Sequence, residues 1–183
     1  MSDIYNESDD SYLMYYFLLK RVPELVRKKP SLVVLEIGSG SGIQLQALLK
    51  SGIKKQNIFS CDINKKAVEC CKNLGFNCIK SDLFENIQGK FDLIIFNAPY
   101  LPEDKKEPET LRISTTGGKN GSEIINKFLK QATNHLVDDG RIFLLTSSLT
   151  KRINWLDYKK KIVAEKNLFF EKLFVWELNK TQV

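Results

Sequence analysis

Asn97-Ala98-Pro99-Tyr100 holds groups that could present a planar nitrogen to an electrophile. The nitrogen of an amide or an aryl amine is a poor nucleophile while its lone pair is delocalised. Accepting its two N–H hydrogens in a chosen plane turns that lone pair outward. The Asn97 side-chain carbonyl can accept one hydrogen and the Ala98 backbone carbonyl the other. Pro99 fixes the local backbone, and the Tyr100 ring can stack on the planar group. No strong base is needed beforehand, because the proton can leave once the nitrogen has become cationic. Taken alone, such a tetrapeptide could be no more than a turn that ends a strand, so its meaning depends on what precedes it.

Three strand ends precede it. The apolar run Val33–Ile37 leads into Gly38-Ser39-Gly40-Ser41-Gly42, where the chain must bend tightly and let a ligand lie against its backbone. A glycine turn of this kind could equally bind a dinucleotide. A Walker-type phosphate loop is excluded, since no Lys-Ser/Thr follows in place, and Gly117-Gly118-Lys119-Asn120-Gly121 fails the same test. Asp62, 20 residues after Gly42, ends the next strand, where a carboxylate can accept two hydrogen bonds from a ribose diol. One strand later Asp82 can accept from an adenine amino group, and Leu83 can offer apolar contact and its N–H to the ring. Either acid alone reads as a cap or turn residue. Glycines, an acid and a second acid on successive strand ends point together to an adenosine-bearing cofactor.

The elements that must position these groups alternate between two periodicities. Asp9 or Asp10 can cap a helix whose apolar residues Leu13, Phe17, Leu18, Val22 and Leu25 recur at helical spacing until Pro30. Strands are expected over 32–37, 57–61, 77–80, 91–96 and 141–146, with helices over 42–50, 64–73 and 122–136. Asn64 should cap the third helix and Gly75 close it. Asp138-Asp139-Gly140 reads as a turn, 150–158 as a short helix, and 161–165 and 169–178 as final strands. Alternating strands and helices predict a doubly wound α/β fold with a mostly parallel seven-stranded sheet and ligands at its carboxyl ends. The last two strands lie too close for a helical crossover and should form an antiparallel hairpin at one sheet edge. The stretch 98–120, with three prolines and a glycine pair, is long enough for a functional loop.

Composition sets the bounds. At 183 residues, 43% hydrophobic and 27% charged, the chain is expected to fold as a single domain over 1–183, its first 30 residues forming a helical segment packed on the rest. Its apolar runs are far short of the roughly 20 residues of a membrane span, and its acidic start is unlike a secretory signal, so a cytoplasmic protein is expected. A net charge of +6 is compatible with a nucleic-acid partner, but the lysines are scattered and lack interleaved aromatics. Cys61, Cys70, Cys71 and Cys78 have no zinc-ligand spacing and read as free thiols, so no metal site is expected. His135, late in a helix, reads as a surface or helix-end residue.

The series resembles the class I S-adenosylmethionine methyltransferases, whose Rossmann-like fold carries a GxGxG turn with an acidic residue, here Glu36, before it. Asn97-Ala98-Pro99-Tyr100 resembles the NPPY signature of amino-methylating members, with Ala98 in place of the first proline. Two groups share that signature: enzymes acting on exocyclic amines of adenine or cytosine, and HemK-like enzymes acting on the glutamine of the GGQ motif in class 1 release factors. Residues 4–13 are similar to the Val-Tyr-Glu-Pro-x-Glu-Asp-Thr-x-Leu segment of the archaeal and eukaryotic HemK-like branch, with Asn6 and Ser8 departing from it. Gly117-Gly118-Lys119-Asn120-Gly121 matches that branch's Gly-Gly-x-x-Gly element, and 163–175 resembles its archaeal members.

The resemblance implies S-adenosyl-L-methionine held by Tyr5, Ser11, Glu36, Gly38, Gly40, Asp62, Ile63, Asp82, Leu83 and Asn97. It implies a glutamine amide held by Asn97, Ala98, Pro99 and Tyr100, with Asn97, Pro99 and Tyr100 catalytic. The substrate would be a class 1 translation release factor. The branch also implies a heterodimer with a small zinc-binding activator protein that covers an apolar sheet edge. Direct action on nucleic acid ranks second, because only the loop 101–116 is available to recognise a base. A cofactor-binding regulatory module without catalysis is the third reading.

Overall fold

The computed structural model describes residues 7–104 and 115–181. Tyr5 and much of the loop after the tetrapeptide therefore lie outside the described residues. Strands β1 (Val34–Ile37), β2 (Ile58–Asp62), β3 (Asn77–Lys80), β4 (Phe91–Asn97), β5 (Leu136–Ser147), β6 (Tyr158–Asn167) and β7 (Lys172–Lys180) form one sheet in the order β3-β2-β1-β4-β5-β7-β6. The first five run parallel, and β7 is antiparallel to both β5 and β6. The expected α/β sheet with its antiparallel end is what is found.

Helices cover both faces. Side chains alternate along a strand, and paired residues of neighbouring strands share a face. Ile95 pairs with Phe143, and Phe96 with Leu144, so the two pairs point to opposite faces. Helix α1 (Asp9–Lys28) takes the first face: its Phe17 ring meets Phe143 edge-on at 4.8 Å. Two further helices are α2 (Ile43–Lys50), which packs against α1, and α3 (Lys65–Asn73). Helix α4 (Glu123–His135) takes the other face, where Phe128 lies 4.7 Å from Phe96 and 5.6 Å from Phe84. Coverage on both sides explains why β1 and β4 are almost wholly apolar. Phe128→Ala should leave a cavity among these rings and cost about 3–5 kcal/mol, read as a lower urea midpoint.

Helix α1 is fixed along the full length of β4. Near its C-terminus, Lys29 pairs with Asp92 at 2.6 Å, and the other oxygen of Asp92 accepts from the Val33 N–H at 2.9 Å. At its N-terminus, Asp10 reaches Asn97, 87 residues away. The first turn of the helix is thereby brought to the carboxyl end of the sheet.

Several local expectations hold. Asn64 caps α3, its side chain accepting from the Lys66 N–H at 2.9 Å, and Gly75 follows with φ +79°. His135 ends α4, its ring stacked on Phe84 at 4.7 Å and its Nδ1 3.1 Å from the Gly89 carbonyl. Two expectations fail. Asp138-Asp139-Gly140 is not a turn before a strand but lies within β5, which pairs with β4 through Leu136 and again from Arg141. The residues between bulge outward, so turn-forming chemistry serves a bulge. The expected helix over 150–158 is also absent. Arg152 and Leu156 adopt φ of +60° and +51°, which no right-handed helix admits. Asn126 donates to the Arg152 carbonyl and accepts from the Asn154 N–H, and the Asn154 side chain accepts from the Leu156 N–H. Side-chain amides here supply the partners that a helix would have supplied.

Candidate functional site

The sequence-derived residues that are described gather at the carboxyl ends of β1, β2, β3 and β4. Between β1 and α2 the glycine turn is tied to β2, since the N–H groups of Gly38 and Ser39 both donate to the Cys61 carbonyl. Asp62 completes the tie, its two carboxylate oxygens accepting from the N–H groups of Gly40 (2.9 Å) and Asn64 (2.8 Å). The Ile63 N–H also bonds this carboxylate, and with about four acceptor sites it can still accept from a ligand. Gly40 has φ +50°, and a Cβ added there would project into open space. The turn thus leaves a cradle that a side chain would fill. Ile63, next to Asp62, is 53% exposed and free to lie against a bound ring.

The third strand end differs from expectation in one respect. Asp82 is paired with Lys127 of α4 at 2.7 Å. A carboxylate has about four acceptor sites, so it can hold Lys127 and still accept from an adenine amino group. Leu83 is buried at φ +49°, its carbonyl accepting from Ser81 Oγ at 2.9 Å.

Three buried acceptors on the elements around the turn have no hydrogen-bond partner among the described residues: Glu36 Oε2, Gln44 Oε1 and Asn97 Oδ1. Leaving such an atom unpaired costs about 1–3 kcal/mol, and more when it is charged. Such acceptors suit a ligand that brings N–H donors and positive charge. Gln44 and Asn97 are both oriented by α1: Gln44 Nε2 donates to the Ser11 carbonyl at 3.3 Å, and Asn97 Nδ2 donates to Asp10 Oδ2 at 3.2 Å. Ser11 is thus placed beside Gln44. Asp10 and Gln44 are additions that sequence reading missed, because nothing local in the sequence marks either contact.

Glu36 is 2% exposed, and burial pushes its carboxyl well above the ordinary 4.5, with Cys78 and Asp62 adding to the rise. A raised native pKa means that this group's contribution to stability is fully present below about pH 4.5 and is lost as pH rises through the native value. Without cofactor, urea midpoints of the wild type should therefore fall more steeply with rising pH than those of Glu36→Gln. Parallel profiles would remove Glu36 as the cause.

The tetrapeptide is held from behind by the glycine-rich segment after it. Ala98 and Tyr100 are buried, and the Tyr100 carbonyl accepts from Thr150 Oγ1 at 2.9 Å. A Cβ at Gly117 would collide with the Pro99 carbonyl, and one at Gly121 with the Tyr100 carbonyl. Leu101 accepts from the Gly117 N–H and donates to the Thr115 carbonyl, each at 2.9 Å. These glycines are needed for close approach to Pro99 and Tyr100. The four cysteines are free thiols: Cys70 and Cys71 face the Ser41 and Gly40 carbonyls, and Cys61 and Cys78 are buried.

Residues 16–166 match the family described as the methyltransferase small domain. A putative protein N5-glutamine methyltransferase of Methanocaldococcus jannaschii is 38% identical over 96% of this chain and 93% of its own length. The human methyltransferase HEMK2 is 30% identical over 79% of this chain and 72% of its own. Among solved structures, that of the E. cuniculi Mtq2–Trm112 complex, described as responsible for methylation of the eRF1 translation termination factor, superposes with a TM-score of 0.73. It covers 98% of this chain and 100% of that one at 24% identity.

Proposed function

The chain belongs to the methyltransferase small domain family and uses S-adenosylmethionine, and from that premise we propose that it methylates the glutamine side-chain amide in the GGQ motif of a class 1 translation release factor. The observation that carries this reading is the buried Asn97 Oδ1 at the end of β4, without a partner among the described residues, followed by the tightly supported Ala98-Pro99-Tyr100. The names of the M. jannaschii relative and of the E. cuniculi complex support glutamine in a release factor over a nucleobase.

When bound, S-adenosylmethionine supplies a methyl group on a sulfonium centre. The chain's residues do the rest. Gly38 and Gly40 give the cofactor a flat backbone surface, and Asp62 accepts from its ribose hydroxyls. Glu36 offers its buried Oε2 as an acceptor towards the cofactor's ammonium end, whose positive charge would favour the ionised carboxylate. Ile63, Leu83 and Asp82 frame its adenine, with Ser11 closing the site from α1 and Tyr5, outside the described residues, assigned to the same role. Asn97 Oδ1 and the Ala98 carbonyl accept the two amide hydrogens, which directs the nitrogen lone pair at the methyl. Pro99 holds the plane and Tyr100 packs on the amide.

The whole of 1–183 acts in this reading as one methyltransferase domain, working in the cytoplasm. No helix among the described residues is long and apolar enough to cross a membrane. A small zinc-binding protein joins it as a heterodimer, as the E. cuniculi complex suggests for a second chain. The β3 edge suits that partner, since β3 is an outermost strand with Ile79 exposed on it, whereas Lys159, Lys160 and Lys161 guard the β6 edge.

The test is methyl transfer from labelled cofactor to a purified release factor, to the same factor with its GGQ glutamine changed to alanine, and to DNA and RNA. Each is run with and without the co-expressed partner. Label in the factor that the alanine change abolishes is the expected result. Label in nucleic acid and none in the factor would reject it.

A further inference from the structure

We infer that Asp10 is a positioning residue for the reaction, its carboxylate deciding which way round the Asn97 amide stands. The inference rests on the function proposed above for Asn97 and adds the group that makes Asn97 an acceptor. An asparagine side chain has two faces of nearly the same shape, one donating and one accepting, and rotation by half a turn exchanges them. For Asn97 to accept an amide hydrogen, its oxygen must face the substrate. A neighbour that only accepts settles the matter, because it can bond the NH2 face and no other.

Asp10 has the geometry for this. It is 4% exposed in the first turn of α1, and Oδ2 receives the Asn97 Nδ2 at 3.2 Å. Its other oxygen is held by the Ser11 N–H at 2.6 Å and by Ser8 Oγ at 2.5 Å, which leaves the carboxylate little freedom to turn. On the far side of the same amide, Asn97 Oδ1 is buried without a partner among the described residues. Donor face satisfied by protein and acceptor face left for a ligand is the arrangement that a nitrogen carrying two hydrogens requires. With the amide reversed, N–H would meet N–H. Asp10 acts through Asn97 and bonds no reacting atom in this scheme. Helix α1 is pinned to both ends of β4, so the contact is kept in register over 87 residues of sequence.

Asp10→Asn tests this with little change of shape. Its carbonyl can keep the bonds from Ser8 and Ser11, while its new NH2 faces the Asn97 NH2 and drives that amide to reverse. The kcat for release-factor methylation should drop on the order of 100-fold, the loss seen when one oriented hydrogen-bonding group at a reacting centre is removed. The thermal midpoint should stay near that of the wild type, and the cofactor dissociation constant should rise by no more than about tenfold. The loss then falls mainly on kcat at saturating cofactor, which a purely structural role would not predict.

The swap Asp10→Asn/Asn97→Asp restores a donor-to-acceptor pair and again leaves an oxygen facing the substrate. It should regain roughly tenfold in kcat over either single variant. If Asp10→Asn is too unstable to assay, the swap against Asn97→Asp alone carries the test. A kcat near the wild-type value in Asp10→Asn, or a swap no better than the single variants, overturns the inference. The Asn97 side-chain amide resonances provide a readout that needs no substrate. They should move in Asp10→Asn with cofactor bound, and no movement overturns the inference too. A wild type that methylates no release factor would reject the proposed function, while these resonances still report on Asp10.

Discussion

Asn97→Ala is expected to lower methyl transfer by about 100- to 1,000-fold, the range found when one oriented hydrogen-bonding group at a reacting centre is removed. The substitution takes away the oxygen that accepts the substrate's N–H, so the nitrogen lone pair is no longer held towards the methyl. The effect should fall on kcat, because orientation matters most when the bond is forming. Asn97 also borders the cofactor, so a rise in its dissociation constant of up to about tenfold is compatible with the loss of one hydrogen bond. Removing the amide also strips Asp10 Oδ2 of its donor at 3.2 Å. A thermal midpoint should be recorded alongside, since that buried carboxylate oxygen then loses a hydrogen bond. Single-turnover transfer at saturating cofactor isolates the chemical step. A rate within threefold of wild type would move the reaction away from this tetrapeptide.

Asp62→Ala should have its large effect on binding instead, raising the cofactor dissociation constant about 100-fold or more. Two ribose hydroxyls donating to one carboxylate are charge-assisted bonds worth roughly 1.5–3 kcal/mol each. The same carboxylate bonds the N–H groups of Gly40 and Asn64, so its loss also frees the glycine turn from the end of β2. Asp62→Asn keeps one acceptor oxygen and should fall between the two. Isothermal titration of cofactor against the three proteins gives the order directly. Equal affinities would show that the ribose sits elsewhere.

Much of this candidate site is legible in the sequence, and the reason is local. A glycine turn, an acid at the next strand end and Asn97-Ala98-Pro99-Tyr100 lie at positions set by strand and loop lengths, and the parallel sheet brings the strand ends together. Asn64 and Gly75 were readable as helix boundaries because a cap is a contact between near neighbours. The contacts that escaped are long-range ones. Asp10 to Asn97, Ser11 to Gln44 and Lys127 to Asp82 span 87, 33 and 45 residues. No periodicity announces them. Gly117 and Gly121 were visible as a motif, yet their task of admitting the Pro99 and Tyr100 carbonyls depends on packing. The helix expected over 150–158 failed because the amides of Asn126 and Asn154 offered the backbone a competing set of bonds. Asp138–Gly140 misled because turn residues serve bulges equally well.

The strand order carries a consequence for how the chain is made. β7 follows β6 in sequence but lies between β5 and β6 in the sheet. As the polypeptide leaves the ribosome, β6 emerges with no partner in place, and the apolar edge Ile142–Leu145 of β5 stands open until β7 is inserted. During that interval the nascent chain offers another molecule an unpaired strand of the kind that seeds aggregation. Chains stopped before Lys172 should therefore collect in inclusion bodies even though the residues around the glycine turn have all been synthesised.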